Sequence, residues 1–139
     1  MHTSKDIAYQ KALDNYDASF MNNTKWLRLF CTVINAGIPI KQASWKLIDL
    51  PRAMLMPFPD FHELLPTRFS DGRFQPFEYK WIESIFVPHR YRPIANVGYE
   101  KIQDTTALWV ALTSAQEQFP VEQSDTGITI RGYHRKSFG

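Results

Sequence analysis

The sequence predicts an α+β fold: a small, mostly antiparallel sheet of three to four strands with helices packed on one face. Three observations lead there. Some segments place apolar side chains at helical spacing, and others alternate apolar and polar at period two. Proline and glycine separate them, and the helices stand apart from hairpin-like strands. A chain of 139 residues is ordinarily one domain and can bury about two-thirds of its unfolded surface. Its 44% hydrophobic and 14% aromatic composition supports a packed core.

Tyr9, Leu13, Tyr16 and Phe20 fall on one helical stripe, which predicts an amphipathic helix from about Lys5 to Phe20. A second helix is expected over Lys25–Ala36, with Asn23 or Thr24 as its cap and Gly37 as its left-handed terminator. Ala43–Leu50 alternates and reads as a strand that Pro51 ends. Pro51 to Pro76 is rich in proline and apolar residues, an irregular packed loop with a short helical turn near Asp60–Leu65. Phe77–Val87 is the clearest strand, and its second half is apolar on both faces, as in a central strand. Pro93–Gly98 reads as loop, Glu100–Gln118 as a third helix with Ile102 on its apolar face, and Gly127–His134 as a final strand. The expected organisation is residues 1–20 as an N-terminal helical extension and 21–139 as a single α+β domain.

The net charge of +2 is too small to imply nucleic-acid binding by itself. A lone cysteine, Cys31, excludes an intrachain disulfide and a cysteine-based zinc site. The N-terminus lacks the apolar core of a signal peptide, and no run approaches the roughly twenty apolar residues of a membrane span. The expected location is cytoplasmic, with no membrane partner.

Nucleotide and hydrolase motifs are absent: there is no GxGxxG, no GxxxxGK[ST], no GxSxG and no HExxH. Asp60-Phe61-His62-Glu63 holds three donors, but neighbours on a turn are expected to point apart, so no metal site and no cofactor are expected. Glu78 and Glu83 fall on opposite faces of a regular strand and cannot act as an acid/base pair. Glu83 sits on an otherwise apolar face and is expected to pair with an arginine such as Arg90 or Arg131, the alternative being the edge of a polar pocket. No catalytic residue is assigned.

Two aromatic and basic clusters are the best candidates for a binding surface: Arg90, Tyr91 and Arg92 in one, and Arg131, Tyr133 and Arg135 in the other. Tyrosine and arginine combine area, planarity and donors, which is why they carry binding hot spots.

The run Asn22-Asn23-Thr24-Lys25-Trp26, followed by an apolar helix, resembles the opening of a family of small bacterial proteins of unknown function. The resemblance implies a compact α+β domain whose body starts near Met21. Some such families are encoded near secreted toxins, which implies an immunity protein. The expected function is therefore a non-catalytic protein-binding domain that neutralises a toxin by steric occlusion. The basic balance argues against a nuclease as that toxin, because a basic cleft favours an acidic inhibitor. An RNA- or DNA-binding module using the same clusters is the first alternative. A small hydrolase-like enzyme built on His62, Glu63 or Glu83 is the second.

Overall fold

The apolar stripe beginning at Tyr9 does not continue as a helix. In the computed structural model, which describes residues 4–74, 77–93 and 98–136, helix α1 (Ser4–Leu13) ends where Asp14 and Asn15 donate their N–H groups back to Lys11 and Ala12. Tyr16–Ser19 then forms strand β1. The expected helix to Phe20 is thus corrected, because pairing with a distant strand overrides local periodicity.

Helix α2 (Asn23–Asn35) is capped by Asn22, one residue earlier than expected, whose side chain accepts from the Lys25 N–H at 2.8 Å. Asn23 instead accepts from the Lys80 N–H. Gly37, at φ +70°, ends the helix: its N–H reaches Ile34 O and that of Ile38 reaches Val33 O.

Strand β2 (Ala43–Leu47) is shorter than its alternating pattern, and Ile48 turns off to donate to Trp81 O. Strand β3 (Met54–Met56) lies inside the region expected to be irregular. Phe61–Glu63 is a short 3₁₀ helix, as the sequence suggests near Asp60–Leu65. A second 3₁₀ turn, Tyr79–Trp81, replaces the first half of the expected 77–87 strand. Tyr79 N–H goes to Thr67 O and its hydroxyl to the carbonyls of Leu65 and Arg68, so this stretch is tied to the preceding loop.

Strand β4 (Ile82–Pro88) follows, then β5 (Arg90–Tyr91), β6 (Lys101–Ile102) and helix α3 (Thr105–Ser114). The expected helix from Glu100 is shortened because Asp104 caps it, accepting from the Ala107 N–H at 2.9 Å. Strands β7 (Val121–Gln123), β8 (Gly127–Arg131) and β9 (Tyr133–Arg135) complete the chain. Gly132 divides the single strand expected over 127–134. The 93–98 loop falls largely on residues 94–97, which lie outside the described residues.

The main sheet has five strands in the order β3-β2-β4-β8-β7, every pairing antiparallel, rather than three to four. Strands β1 and β9 form one small ribbon and β5 and β6 another. Strand β4 is the central strand. On one sheet face Trp45, Ile85 and Ile130 stand in a row, and α2 and α3 cover them with Trp26, Leu29, Phe30, Leu108 and Leu112. Phe30 is the hub, its ring 5.5–5.8 Å from Trp26, Trp45, Phe58, Phe69 and Tyr79. Burying each such ring contributes about 1.5–3 kcal/mol, so the proline-rich segment is held by Phe58, Phe69 and Phe74. The other sheet face presents Ser44, Lys46, Ser84, Phe86, Thr129 and Arg131, all half-buried.

Candidate functional site

Lys46 pairs with Ser84 and Leu47 with Ile82, which leaves Glu83 as an extra residue in β4. Such a bulge re-aims a side chain. Glu83 accordingly meets Arg135, at 3.3 Å, and the Tyr16 hydroxyl, at 2.6 Å, with Lys46 Nζ at 3.9 Å. Its arginine partner is therefore neither Arg90 nor Arg131, as expected, but Arg135. Arg131 bonds Glu122 at 2.9 Å.

Tyr133 is 4% exposed and packs with Tyr16 and Ile48 in a second, smaller core. Its hydroxyl donates to Lys80 O and meets the Tyr9 hydroxyl, both at 2.6 Å. Burial, reinforced by the bond with Tyr9, pushes the Tyr133 phenol well above its ordinary pKa. Tyr133 lies inside the protein, so it is no part of an exposed contact face. Burial, and then the bond to Glu83, likewise pushes Tyr16 up to about 12.

The two basic clusters do not meet. Arg131 sits opposite Ser84, at one end of β4, and Arg90 follows the other end. Arg90 lies six positions after Ser84, at most about 20 Å away at the usual strand rise.

The Arg90 cluster is carried by the β5–β6 ribbon, where Arg90 pairs with Ile102 and Tyr91 with Lys101. Arg90 reaches Glu100 at 3.5 Å, Tyr91 is half-buried, and Arg92 is exposed with no partner among the described residues. Tyr99 and Ile102, 74% and 76% exposed, project beside them. Sequence reasoning put Ile102 on the buried face of a helix, because a two-residue strand leaves no periodicity to read.

A hollow of about 660 Å³ adjoins the ribbon, lined by His89, Arg90, Ile102, Gln103, Thr105 and Asp125 among others. Its floor is rigid. Buried Gln103 accepts from the Lys41 and Gln42 N–H groups and donates to the carbonyls of Gln42 and Pro88. His89 is held at both backbone groups, to Thr126 O and from Gln103 N–H, while its Nδ1 bonds the Thr105 hydroxyl. Nothing in the sequence singles out Gln103, since its side-chain partners are 15 to 62 residues away.

Contrary to expectation, Asp60, His62 and Glu63 bring ligand atoms within 4.8 Å of one another. The 3₁₀ turn gathers them. Glu63 is already engaged, though, taking Arg73 Nε and Nη2 at 3.0 and 2.5 Å and the Asp60 N–H at 2.8 Å. Burial alone would raise the Glu63 pKa, but the bonds from Arg73 and Asp60 outweigh it and hold the carboxyl below its ordinary value. A guanidinium at this distance opposes a metal cation. Glu83 belongs to a separate network, and Glu78 pairs with Lys80, so the carboxylates do not form one site. Among the described residues no helix is long and apolar enough to cross a membrane. Compared with known proteins, the chain matches no family model, no curated protein and no solved structure.

Proposed function

We propose that this chain is a non-catalytic protein-binding domain whose contact face is the β5–β6 ribbon. The observation that carries the reading is the exposure of Tyr99 and Ile102, about three-quarters each, beside Arg90 and Arg92. Large apolar side chains this exposed, next to arginine, are the usual anchors of an interface. Arg92 and Lys101 favour a partner with carboxylates around an apolar patch. The resemblance at Asn22–Trp26 favours a toxin as that partner, with steric occlusion as the proposed mechanism.

The nucleic-acid reading is less well supported, because Arg90, Arg131 and Arg135 each face a carboxylate. Cations already paired have less to gain from phosphates.

Parallel co-purifications of the wild-type chain and the Tyr99→Ser/Ile102→Ser double variant test the proposal. The expected result is a partner retained by the wild type and lost by the variant, which then binds in purified form with micromolar Kd. Identical recoveries from the two chains would rule the ribbon out.

A further inference from the structure

Helices α2 and α3 turn their buried residues to the sheet, so their opposite sides form one outer surface. On α3, Thr106, Val110 and Thr113 stand at positions i, i+4 and i+7, and all three are exposed, Val110 by 55%. They make a ridge along the helix opposite Leu108 and Leu112. The helix has no charged residue in its ten positions, whereas an exposed helix side is ordinarily charged. Thr113 donates its hydroxyl to Trp109 O at 2.7 Å, and on α2 Thr32 donates to Arg28 O at 2.8 Å. Covering these two side chains therefore strands no donor.

Between α2 and the segment that follows α3 lies an open hollow of about 540 Å³ whose exposed lining is chiefly apolar. Leu27, Cys31, Ala115 and Phe119 supply that lining, with Thr32 and Asn35 on the α2 wall. Its two charged residues, Arg28 and Glu117, satisfy each other at 3.1 Å. Ala115 comes five residues after Val110, about 7.5 Å further along at the helical rise. Ridge and hollow are thus neighbours on one surface.

We propose that two copies of this chain associate through this surface, the Thr106–Val110–Thr113 ridge of each lying in the hollow of the other. Because ridge and hollow share one surface, a single two-fold axis between them seats both contacts at once. A helix ridge laid in the groove between two other segments is the ordinary geometry of helix packing. Charge favours a second copy as the occupant. A two-fold contact sets a surface against itself, which unpaired like charges would resist; here a closed ion pair meets a ridge without charge. Two helices about 20 and 15 Å long and about 10 Å apart offer roughly 400 Å², half of what each partner gives to a stable interface. The dimer is therefore weak, with an expected Kd on the order of 100 μM.

Sedimentation velocity of the full chain from about 10 μM to about 1 mM tests the proposal, together with the rate at which Cys31 reacts with an aromatic disulfide. Cys31 is the single cysteine of the chain and is half-buried in the hollow, so its rate reports on that place alone. The wild type is expected to pass from monomer to dimer over this range, with Cys31 reacting about fourfold more slowly at the top of it. Val110→Glu puts a carboxylate in the middle of the ridge at an exposed position, so the variant should give the wild-type circular dichroism. It should stay monomeric at about 1 mM and react at one rate throughout. A wild type that stays monomeric, as it would if a different protein filled the hollow, overturns the proposal. So does a dimer in which Cys31 keeps its dilute rate, or one that survives Val110→Glu. Tyr99→Ser/Ile102→Ser should dimerise as the wild type does, which keeps this test separate from the ribbon reading. Loss of the dimer in that variant would move the contact to the ribbon and overturn the assignment to α3.

Discussion

Tyr16 donates its hydroxyl hydrogen to Glu83 Oε1 at 2.6 Å across 67 residues of chain, and Arg135 closes the contact from the third side. The bond ties the N-terminal strand to the bulge in the central strand. It also makes stability depend on the Tyr16 proton.

Tyr16 and Tyr79 are both pushed up to about 12, and Tyr133 is raised as well; burial is the leading cause in each. A phenol raised in the folded state holds its proton longer there than in the unfolded chain. The stability it contributes is complete below pH 10, the ordinary value, and is lost as pH rises through about 12. The chain is therefore expected to unfold steeply on the alkaline side, with Tyr16, Tyr79 and Tyr133 ionising as structure is lost. Tyrosinate absorbance followed together with circular dichroism checks this. Ionisation of all six tyrosines near pH 10 with the fold intact would contradict it. Tyr16→Phe is expected to cost about 1–3 kcal/mol at neutral pH and to flatten the alkaline fall.

Segments whose own periodicity matched their burial were legible in the sequence. The α2 stripe, the Gly37 stop and the alternation of Ala43, Trp45 and Leu47 all appear as read. What was not legible depends on partners far along the chain. Tyr16–Ser19 carries a helical stripe yet pairs with β9, and β3 and β7 are three-residue strands too short to show a period. Glu83 was noticeable as a carboxylate on an apolar face, but its partner Arg135 follows from the bulge, which a regular strand pattern does not reveal. The candidate site divides the same way: the arginines were readable by composition, whereas the exposure of Ile102 and the role of Gln103 are properties of the assembled fold.

Trp45 and Trp26 are both fully buried, but only one indole N–H is satisfied. Trp45 donates to Met56 O at 3.1 Å, while Trp26 Nε1 has no partner among the described residues. Replacing either by phenylalanine removes the same volume. Trp45→Phe also removes a buried hydrogen bond to the Met56 carbonyl, so it is expected to cost about 1–3 kcal/mol more than Trp26→Phe. Urea midpoints of the two variants measure the difference, and equal losses would show that the Trp26 N–H is bonded too.

Gly132 and Gly37 separate two reasons for glycine. A Cβ at Gly132 would lie 2.2 Å from Ile82 O, because its N–H approaches Glu83 O at the bulge. At Gly37 there is open space, and only the φ of +70° disfavours a side chain. Gly37→Ala is expected to cost about 1–2 kcal/mol. Gly132→Ala must move backbone against backbone and is expected to cost about 3 kcal/mol or more. Thermal melts give the order, and a Gly132→Ala variant as stable as Gly37→Ala would show that the bulge can yield.

Deletion of residues 1–20 tests how far the two cores are independent. Met21 is the first residue of the large core, and every other member of that core follows it. Before it, Tyr16 is the deeply buried apolar side chain, and its companions are Ile48 and Tyr133. Removing α1 and β1 strips β9 of its one ladder partner among the described residues and exposes Tyr133, but it leaves all five strands of the main sheet and both covering helices. A chain beginning at Met21 is therefore expected to fold, with stability lower by about 3 kcal/mol for the lost tyrosine burial and hydrogen bonds. Hydrogen exchange should show protected amides in β2, β4 and β8 and rapid exchange in β9. An unfolded product would mean that the tyrosine cluster around Glu83 belongs to the cooperative core, with the bulge of β4 as the point where the two cores are joined.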